Sequence, residues 1–277
     1  MILVNGRQTE FINVLDRGLQ YGDGLFETIT VANGQPLLWE RHLERLSAGC
    51  RKLGIPEVDA ALLSQEAKLI CSGQSLSVLK IIITRGIGGR GYRAQQGNSR
   101  INVSAPTRIL SIHPWPSYPE RFSTCGITLR LCSTRLGINP VLAGIKHLNR
   151  LEQVIARSEW DDPDIAEGLM LDSAGYVIEG TISNLFIVKN DQLITPDLSG
   201  SGVDGVMRGL ILEIAAALSI STGISSFGID IVKEADEIFL CNTLIKIWPV
   251  CHFDGNSYPH GAITQRIAQE LKKYLHS

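Results

Sequence analysis

The sequence predicts a mixed α+β fold, and three observations point that way. Strand-like runs come in hairpin groups closed by Asn-Gly or Asn-Asp pairs. Helical runs are interspersed among those groups. Strict strand–helix–strand alternation, the mark of a doubly wound parallel sheet, is missing. From the start, Ile2 to Val4 leads into an Asn5-Gly6 turn, and "LFETITVANGQPLLW" makes a second hairpin about Asn33-Gly34. Between them lies "DRGLQYGDG" (16–24), read as a glycine-rich loop. Residues 40–53 repeat apolar positions at helical spacing (Leu43, Leu46, Cys50, Leu53) and stop at Gly54 and Pro56. A second helix is expected from about Asp59 to Cys71. "LSVLKIIITR" is a strand, followed by the glycine-rich "RGIGGRGYR" (85–93) and the polar "AQQGNS".

"HPWPSYPERF" has three prolines and little apolar periodicity. It predicts a linker over 114–123 between an N-terminal domain, 1–113, and a C-terminal domain, 124–277. In the second part "GITLRLC" reads as a strand, and a helix is expected from just after Lys146 to about Trp160. "AEGLMLDSAGYVIEG" and "SNLFIVKNDQLITP" read as hairpins, and "DGVMRGLILEIAAAL" as a helix. "GISSFGIDI", "ADEIFLCN" and "IKIWPVC" read as strands, before a closing helix over Ile263 to Leu275.

With 44% hydrophobic residues the chain can bury a sizeable core, and a net charge of -2 gives no basic field to draw it to nucleic acid. No apolar run approaches the ~20 residues of a membrane span, and the first ten residues do not resemble a signal peptide. Six scattered cysteines without a Cys-x-x-Cys pair read as reduced thiols. The expectation is a cytoplasmic protein that binds a small molecule, with no nucleic-acid or membrane partner.

Candidate chemistry gathers at four places. In "LAGIKHLNRLEQV" Lys146 follows four small or apolar residues and precedes a helical pattern, with Leu148, Leu151 and Ile155 on one face. A helix N-terminus and apolar neighbours both disfavour an ammonium ion, so a lysine there tends toward a nucleophile able to form a Schiff base. In "YVIEGTISNLF" Glu179 ends an apolar strand, where it is either a solvated strand end or the partner of a buried cation. "SGVDGVMRG" is a glycine-rich turn entering a helix, suited to a phosphate. Arg45 in the first long helix offers a bidentate contact to the same group. "RGIGGRGYR" lacks the helix and Gly-Lys-Ser/Thr ending of a nucleotide loop. It reads either as a solvated loop or as one presenting Arg85, Arg90, Tyr92 and Arg93 to an anion. The six histidines have no ligand spacing, so no metal is expected, and no Gly-x-Ser-x-Gly elbow occurs.

Taken in order, "YGDG" (21–24), "RHLERL" (41–46), Lys146, "EGTISN" (179–184) and "GVMR" (205–208) resemble the fold type IV pyridoxal-phosphate enzymes, the class IV aminotransferase family. The resemblance spans nearly the whole chain. It implies two α/β domains, pyridoxal 5'-phosphate in the cleft between them, and a homodimer. It further implies Lys146 as the Schiff-base lysine, carried by the C-terminal domain, and Glu179 on the pyridine nitrogen. Arg45, Val206, Met207, Asn242 and Thr243 would hold the phosphate. "TRGIGGRGY" and "NPVLAGIKHLNRLEQV" are most similar to the family's lyases of folate biosynthesis, which convert 4-amino-4-deoxychorismate to 4-aminobenzoate and pyruvate. Phe26 stands where the D-amino-acid aminotransferases have tyrosine, which suits a pocket for a cyclohexadiene ring. On this reading Phe26, Arg85, Arg90 and Tyr92 meet the substrate, and Thr28 assists pyruvate departure. The alternatives are a D-amino-acid or branched-chain aminotransferase of the same fold, and a non-catalytic phosphate-binding protein built on "RGIGGRGYR".

Overall fold

The computed structural model describes residues 1–94 and 105–276. Most of "AQQGNS" therefore falls outside the described residues. Two compact units emerge: Met1–Pro116 with Ile145–Asn149, and Ser117–Gly144 with Arg150–Ser277. The boundary falls inside the proline-rich stretch. The Lys146 segment, expected in the C-terminal domain, packs with the first unit.

In the first unit, in chain order, are β1 (Ile2–Val4), β2 (Arg7–Gln8), α1 (Arg17–Tyr21), β3 (Gly24–Ala32), β4 (Gln35–Pro36), α2 (Trp39–Leu53), α3 (Ala60–Cys71), β5 (Leu76–Thr84) and β6 (Thr107–Pro114). The strands form an antiparallel sheet ordered β2-β1-β6-β5-β3-β4. Alternation decides its faces. Leu25, Glu27, Ile29 and Val31 on β3, and Leu79, Ile81 and Ile83 on β5, are buried on one face. Phe26, Thr28, Lys80 and Ile82 take the other and are half-buried. Helix α2 turns His42, Leu46, Gly49 and Cys50 inward and ends at Gly54, whose left-handed φ of 62° lets its N–H cap the Cys50 and Arg51 carbonyls. Asp59 caps α3 by accepting from the Ala61 N–H at 2.8 Å. The expected glycine-rich loop contains α1, because Asp16 caps it through the Gly18 N–H. The same carboxylate accepts from the Thr84 and Thr107 hydroxyls.

The second unit holds α4 (Arg121–Thr124), β7 (Ile127–Leu131), α5 (Leu151–Arg157), β8 (Ile165–Leu171), β9 (Val177–Gly180), β10 (Asn184–Lys189), β11 (Gln192–Pro196), α6 (Val206–Ala217), β12 (Thr222–Ser225), α7 (Ile229–Lys233), β13 (Glu237–Asn242), β14 (Lys246–Phe253), β15 (Asn256–Ser257) and α8 (Ala262–His276). Its strand order is β12-β11-β10-β13-β14-β7-β8-β9. A further β9–β10 pairing, Glu179 opposite Asn184, closes six of these strands into a ring. The β10–β11 hairpin turns at Asn190 and Asp191, both at positive φ as a two-residue loop requires. Two expectations shift here. "GISSFGIDI" splits into β12 and α7, and the helix after Lys146 covers only Leu151–Arg157.

Candidate functional site

The candidate residues of the first unit gather on β3. The segment around Lys146 makes an antiparallel bridge to this strand: Phe26 N–H donates to the Lys146 carbonyl at 2.9 Å, and Leu148 N–H to that of Gly24 at 3.0 Å. This ladder holds the Lys146 ammonium 4.5 Å from the centroid of the Phe26 ring. The sequence argument placed Lys146 at a helix N-terminus. Helix α5 starts only at Leu151, so the helix dipole does not act on it, because that effect fades within one turn. What constrains this lysine is its seat on the sheet beside an aromatic face. Thr28 stands two residues along β3 from Phe26 and so shares its face.

Behind that face lies a buried cluster. Glu27 is 1% exposed and His42 0%. Glu27 accepts from Arg45 Nε at 2.8 Å and from Arg45 Nη2, and it meets His42 Nδ1 at 2.6 Å. Burial alone would raise the Glu27 pKa, but the Arg45 charge and the bonds from His42 and Arg45 outweigh it and bring it down to about 2. Burial pushes His42 below its usual value, and Glu27 only partly offsets this. Burial thus favours the neutral imidazole, donating through Nδ1, and among the described residues its buried Nε2 has no hydrogen-bond partner. Arg45 was expected to grip a phosphate with a bidentate edge. Its Nε–Nη2 edge binds the Glu27 carboxylate.

Acid stability follows from the same cluster. The Glu27 contribution is complete above pH 4.5 and fades as pH falls toward about 2, and the lowered His42 pKa adds a loss below pH 6.5. Glu27→Gln is expected to cost about 3–5 kcal/mol in urea unfolding at pH 7, because it strands the Arg45 charge. It should also flatten the fall of Tm between pH 4.5 and 3. An unchanged acid slope would show that Glu27 does not carry it.

The "RGIGGRGYR" loop separates into an anchor and a tip. Arg85 donates from Nε and Nη2 to the Asp23 carboxylate at 2.7 and 3.0 Å, from Nη1 to the Gly54 carbonyl, and from Nη2 to that of Leu53. These bonds make Arg85 a brace between α1, β5 and the end of α2, correcting the substrate role expected for it. Arg17, which sequence reasoning missed, also binds Asp23, at 2.8 Å, and reaches the Gly91 and Tyr92 carbonyls. Burial raises the Asp23 pKa, but its bonds to Arg85 and Arg17 prevail and lower it. The Tyr92 ring lies edge-on to Tyr21 at 5.7 Å. Arg90, Tyr92 and Arg93 are exposed.

The candidate residues of the second unit centre on the ring-closing pair. Glu179 is 5% exposed and accepts from the Val203 N–H at 2.9 Å. Asn184 donates from Nδ2 to the Val203 carbonyl at 2.8 Å. Val203 is thus pinned on both sides. A few residues on, Gly205 opens α6 with no side-chain cap, although Val206 and Met207 are buried. A Cβ at Gly205 would lie 2.0 Å from Asn184 Oδ1, so only glycine fits. Among the described residues the buried Ser201 Oγ has no hydrogen-bond partner. A buried, uncapped helix start and an orphaned hydroxyl are groups that an anion satisfies, so these residues fit a phosphate. Asn242 holds its own turn, accepting from Leu244 and Ile245 N–H and donating to the Ile182 carbonyl. At Thr243 the carbonyl accepts from Lys246 Nζ, whose pKa burial lowers to about 8. Sequence reasoning also missed Glu167. Its carboxylate takes the Thr181 and Ile182 N–H groups and the Thr181 and Ser183 hydroxyls, fixing the turn between Glu179 and Asn184.

The chain matches the amino-transferase class IV family over residues 24–253 and belongs to it. The chain is 37% identical to aminodeoxychorismate lyase of Vibrio harveyi, over 98% of this chain and 99% of that protein. The crystal structure of 4-amino-4-deoxychorismate lyase from Pseudomonas aeruginosa matches it with a TM-score of 0.94 and 46% identity, each chain covered in full (100%). Escherichia coli branched-chain amino acid aminotransferase shares the fold at a TM-score of 0.86 and 24% identity, over 99% of this chain and 94% of that one. The fold is therefore the α+β architecture of the fold type IV enzymes.

Proposed function

We propose that this chain is a pyridoxal-5'-phosphate-dependent lyase that converts 4-amino-4-deoxychorismate to 4-aminobenzoate and pyruvate, a step of folate biosynthesis in the cytoplasm. The observation that carries the reading is Lys146, held on β3 with its ammonium 4.5 Å from the Phe26 ring, in a chain so similar to two lyases of that name. Pyridoxal phosphate, when bound, supplies an electron-accepting ring that makes the hydrogen on the substrate's amine-bearing carbon acidic. Lys146 would hold the cofactor through Nζ and, as a free amine, would be the base that takes that hydrogen as a proton. Glu179, oriented by the Val203 N–H, would keep a proton on the pyridine nitrogen. The amides of Val206 and Met207, the turn at Asn242 and Thr243, and Ser201 hold the phosphate. Phe26 offers an apolar face to the substrate ring, and Thr28 supplies a hydroxyl to the departing enolpyruvyl group. The ring becomes aromatic as that group leaves, so the side chains chiefly orient and move protons.

A homodimer is part of the proposal. Leu151, Val154 and Ile155 line one face of α5, yet are 75%, 58% and 56% exposed. Such a face calls for cover, and sedimentation should give twice the chain mass. No helix among the described residues is long and apolar enough to cross a membrane.

The deciding assay measures pyruvate released from 4-amino-4-deoxychorismate against transamination of D- and L-amino acids by the same preparation. Pyruvate release supports the lyase. Transamination alone would leave the family standing and overturn the activity.

A further inference from the structure

Strand β13 turns into β14 through Thr243, Leu244 and Ile245, with Asn242 opposite Lys246 as the last pair of the hairpin. In a three-residue turn of this kind the residue entering the second strand is left-handed, and glycine, having no Cβ to clash, is its ordinary occupant. Here it is Lys246, at φ 60°. Elsewhere among the described residues, tight hairpin turns fill such positions with Asn, Asp or Gly: Asn5-Gly6, Asn33-Gly34, Asn190-Asp191 and Asp254-Gly255. A lysine is strained there, and strain of this kind gathers at binding sites. Its side chain folds back onto its own turn, Nζ donating to the Thr243 carbonyl at 2.5 Å. Burial lowers the Lys246 pKa to about 8, which still leaves it charged at pH 7. From the other side Asn242 Oδ1 accepts from the Leu244 and Ile245 N–H groups at 2.8 and 2.9 Å. The Thr243 carbonyl and the Leu244 N–H belong to one peptide unit, so that plane is held at both ends. Register sets the turn at the end of the ring where the phosphate residues gather. Cys241 pairs with Asn184, and Asn242 Nδ2 donates to the Ile182 carbonyl at 3.0 Å. Asn184 in turn packs against Gly205, where α6 opens.

We propose, on the basis of the cofactor assignment above, that Lys246 is a positioning residue for the cofactor phosphate: by holding the Thr243 carbonyl it fixes the peptide plane that follows Thr243 and so presents that residue to the phosphate. It acts through Thr243. Glycine would relax the backbone at this position but has no group to hold the carbonyl, and the plane would then be tied at its Leu244 end alone. The strained lysine is thus the choice that keeps the turn rigid before the cofactor enters.

The test compares the unaltered chain with Lys246→Met, which removes the amine alone, and Lys246→Gly, which removes the amine and the strain together. Each full-length protein, freed of cofactor, is titrated with pyridoxal phosphate and with pyridoxal, which lacks the phosphate. The absorption band of the lysine-attached aldehyde is followed, and melting temperatures are taken before the titration. Both variants should bind pyridoxal phosphate about tenfold more weakly, the loss of one charge-assisted hydrogen bond from the turn. Both should bind pyridoxal as the unaltered chain does. Lys246→Gly should nevertheless keep its melting temperature within about 2 °C, since relief of the left-handed strain offsets the lost bond and the freer unfolded chain. An equal weakening of pyridoxal overturns the proposal, because the effect would then be a general loosening of the site. So does a fall in melting temperature in both variants that parallels the lost affinity, which would make Lys246 structural only. If the unaltered chain forms no band with pyridoxal phosphate, the proposed function fails and this assignment with it. If it does, and both variants bind pyridoxal phosphate equally well, the Lys246 assignment falls and the proposed function stands.

Discussion

Lys146→Ala is expected to abolish turnover, by at least about a thousandfold, and with it the absorption band of a lysine-attached cofactor. Two functions converge on this one nitrogen. It is the attachment point, and it is the base that moves the proton, a role worth roughly 10²–10⁴ by itself. The fold should tolerate the change. The Lys146 contribution to the β3 ladder is its backbone carbonyl, bonded to Phe26 N–H at 2.9 Å, which alanine keeps. Equal melting temperatures would therefore accompany the loss of rate. The decisive readout is borohydride reduction followed by peptide mass mapping. The unaltered chain should carry the reduced cofactor on the peptide containing Lys146, and the variant on none. Lys80 makes the test sharp, since its ammonium is 5.6 Å from the Phe26 ring. Trapping at Lys80 in the unaltered protein would sink the Lys146 assignment.

The route to these residues from the sequence was uneven, and the reasons are physical. Hairpins with Asn-Gly or Asn-Asp turns were legible because a two-residue turn demands positive φ, and Asn33 and Asn190 adopt it at 50° and 51°. Helix α2 was legible because its apolar positions recur at helical spacing. Strand β6 was not anticipated, since its burial depends on neighbours far away in sequence, β1 and β5. Lys146 was found by motif, but with the wrong cause. The pattern of Leu148, Leu151 and Ile155 suggested an inward helix face, whereas Leu151 and Ile155 are exposed and Lys146 lies outside the helix. Arg85 and Lys80 show the general difficulty. A loop arginine among glycines looks free, and a lysine in a strand looks solvated. Only the register shows that the first is bonded to Asp23, Leu53 and Gly54, and that the second shares a face with Phe26. Glu27 could not be sorted from Thr28 without knowing which face of β3 meets α2.

Glu179→Gln is expected to retain the cofactor yet lower kcat by about a hundredfold or more, the cost of one charge-assisted hydrogen bond of up to ~3 kcal/mol felt chiefly in the transition state. The substitution is nearly isosteric, and its amide oxygen can still accept the Val203 N–H that Glu179 holds at 2.9 Å. Asn184 and Glu167 fix the neighbouring backbone independently, so the ring-closing pair with Asn184 should survive. What changes is charge. A carboxylate favours a protonated pyridine nitrogen, whereas a neutral amide gives that proton little electrostatic support. The cofactor ring then accepts electrons poorly, and removal of the proton by Lys146 slows. Binding is supported separately by the start of α6, so the cofactor Kd should rise by much less than kcat falls. The measurement is a pair of titrations, absorbance for cofactor affinity and pyruvate release for rate. Excess pyridoxal phosphate should not restore the rate. Recovery under excess cofactor would make Glu179 a binding group only, and near-normal turnover would place its carboxylate away from the pyridine nitrogen.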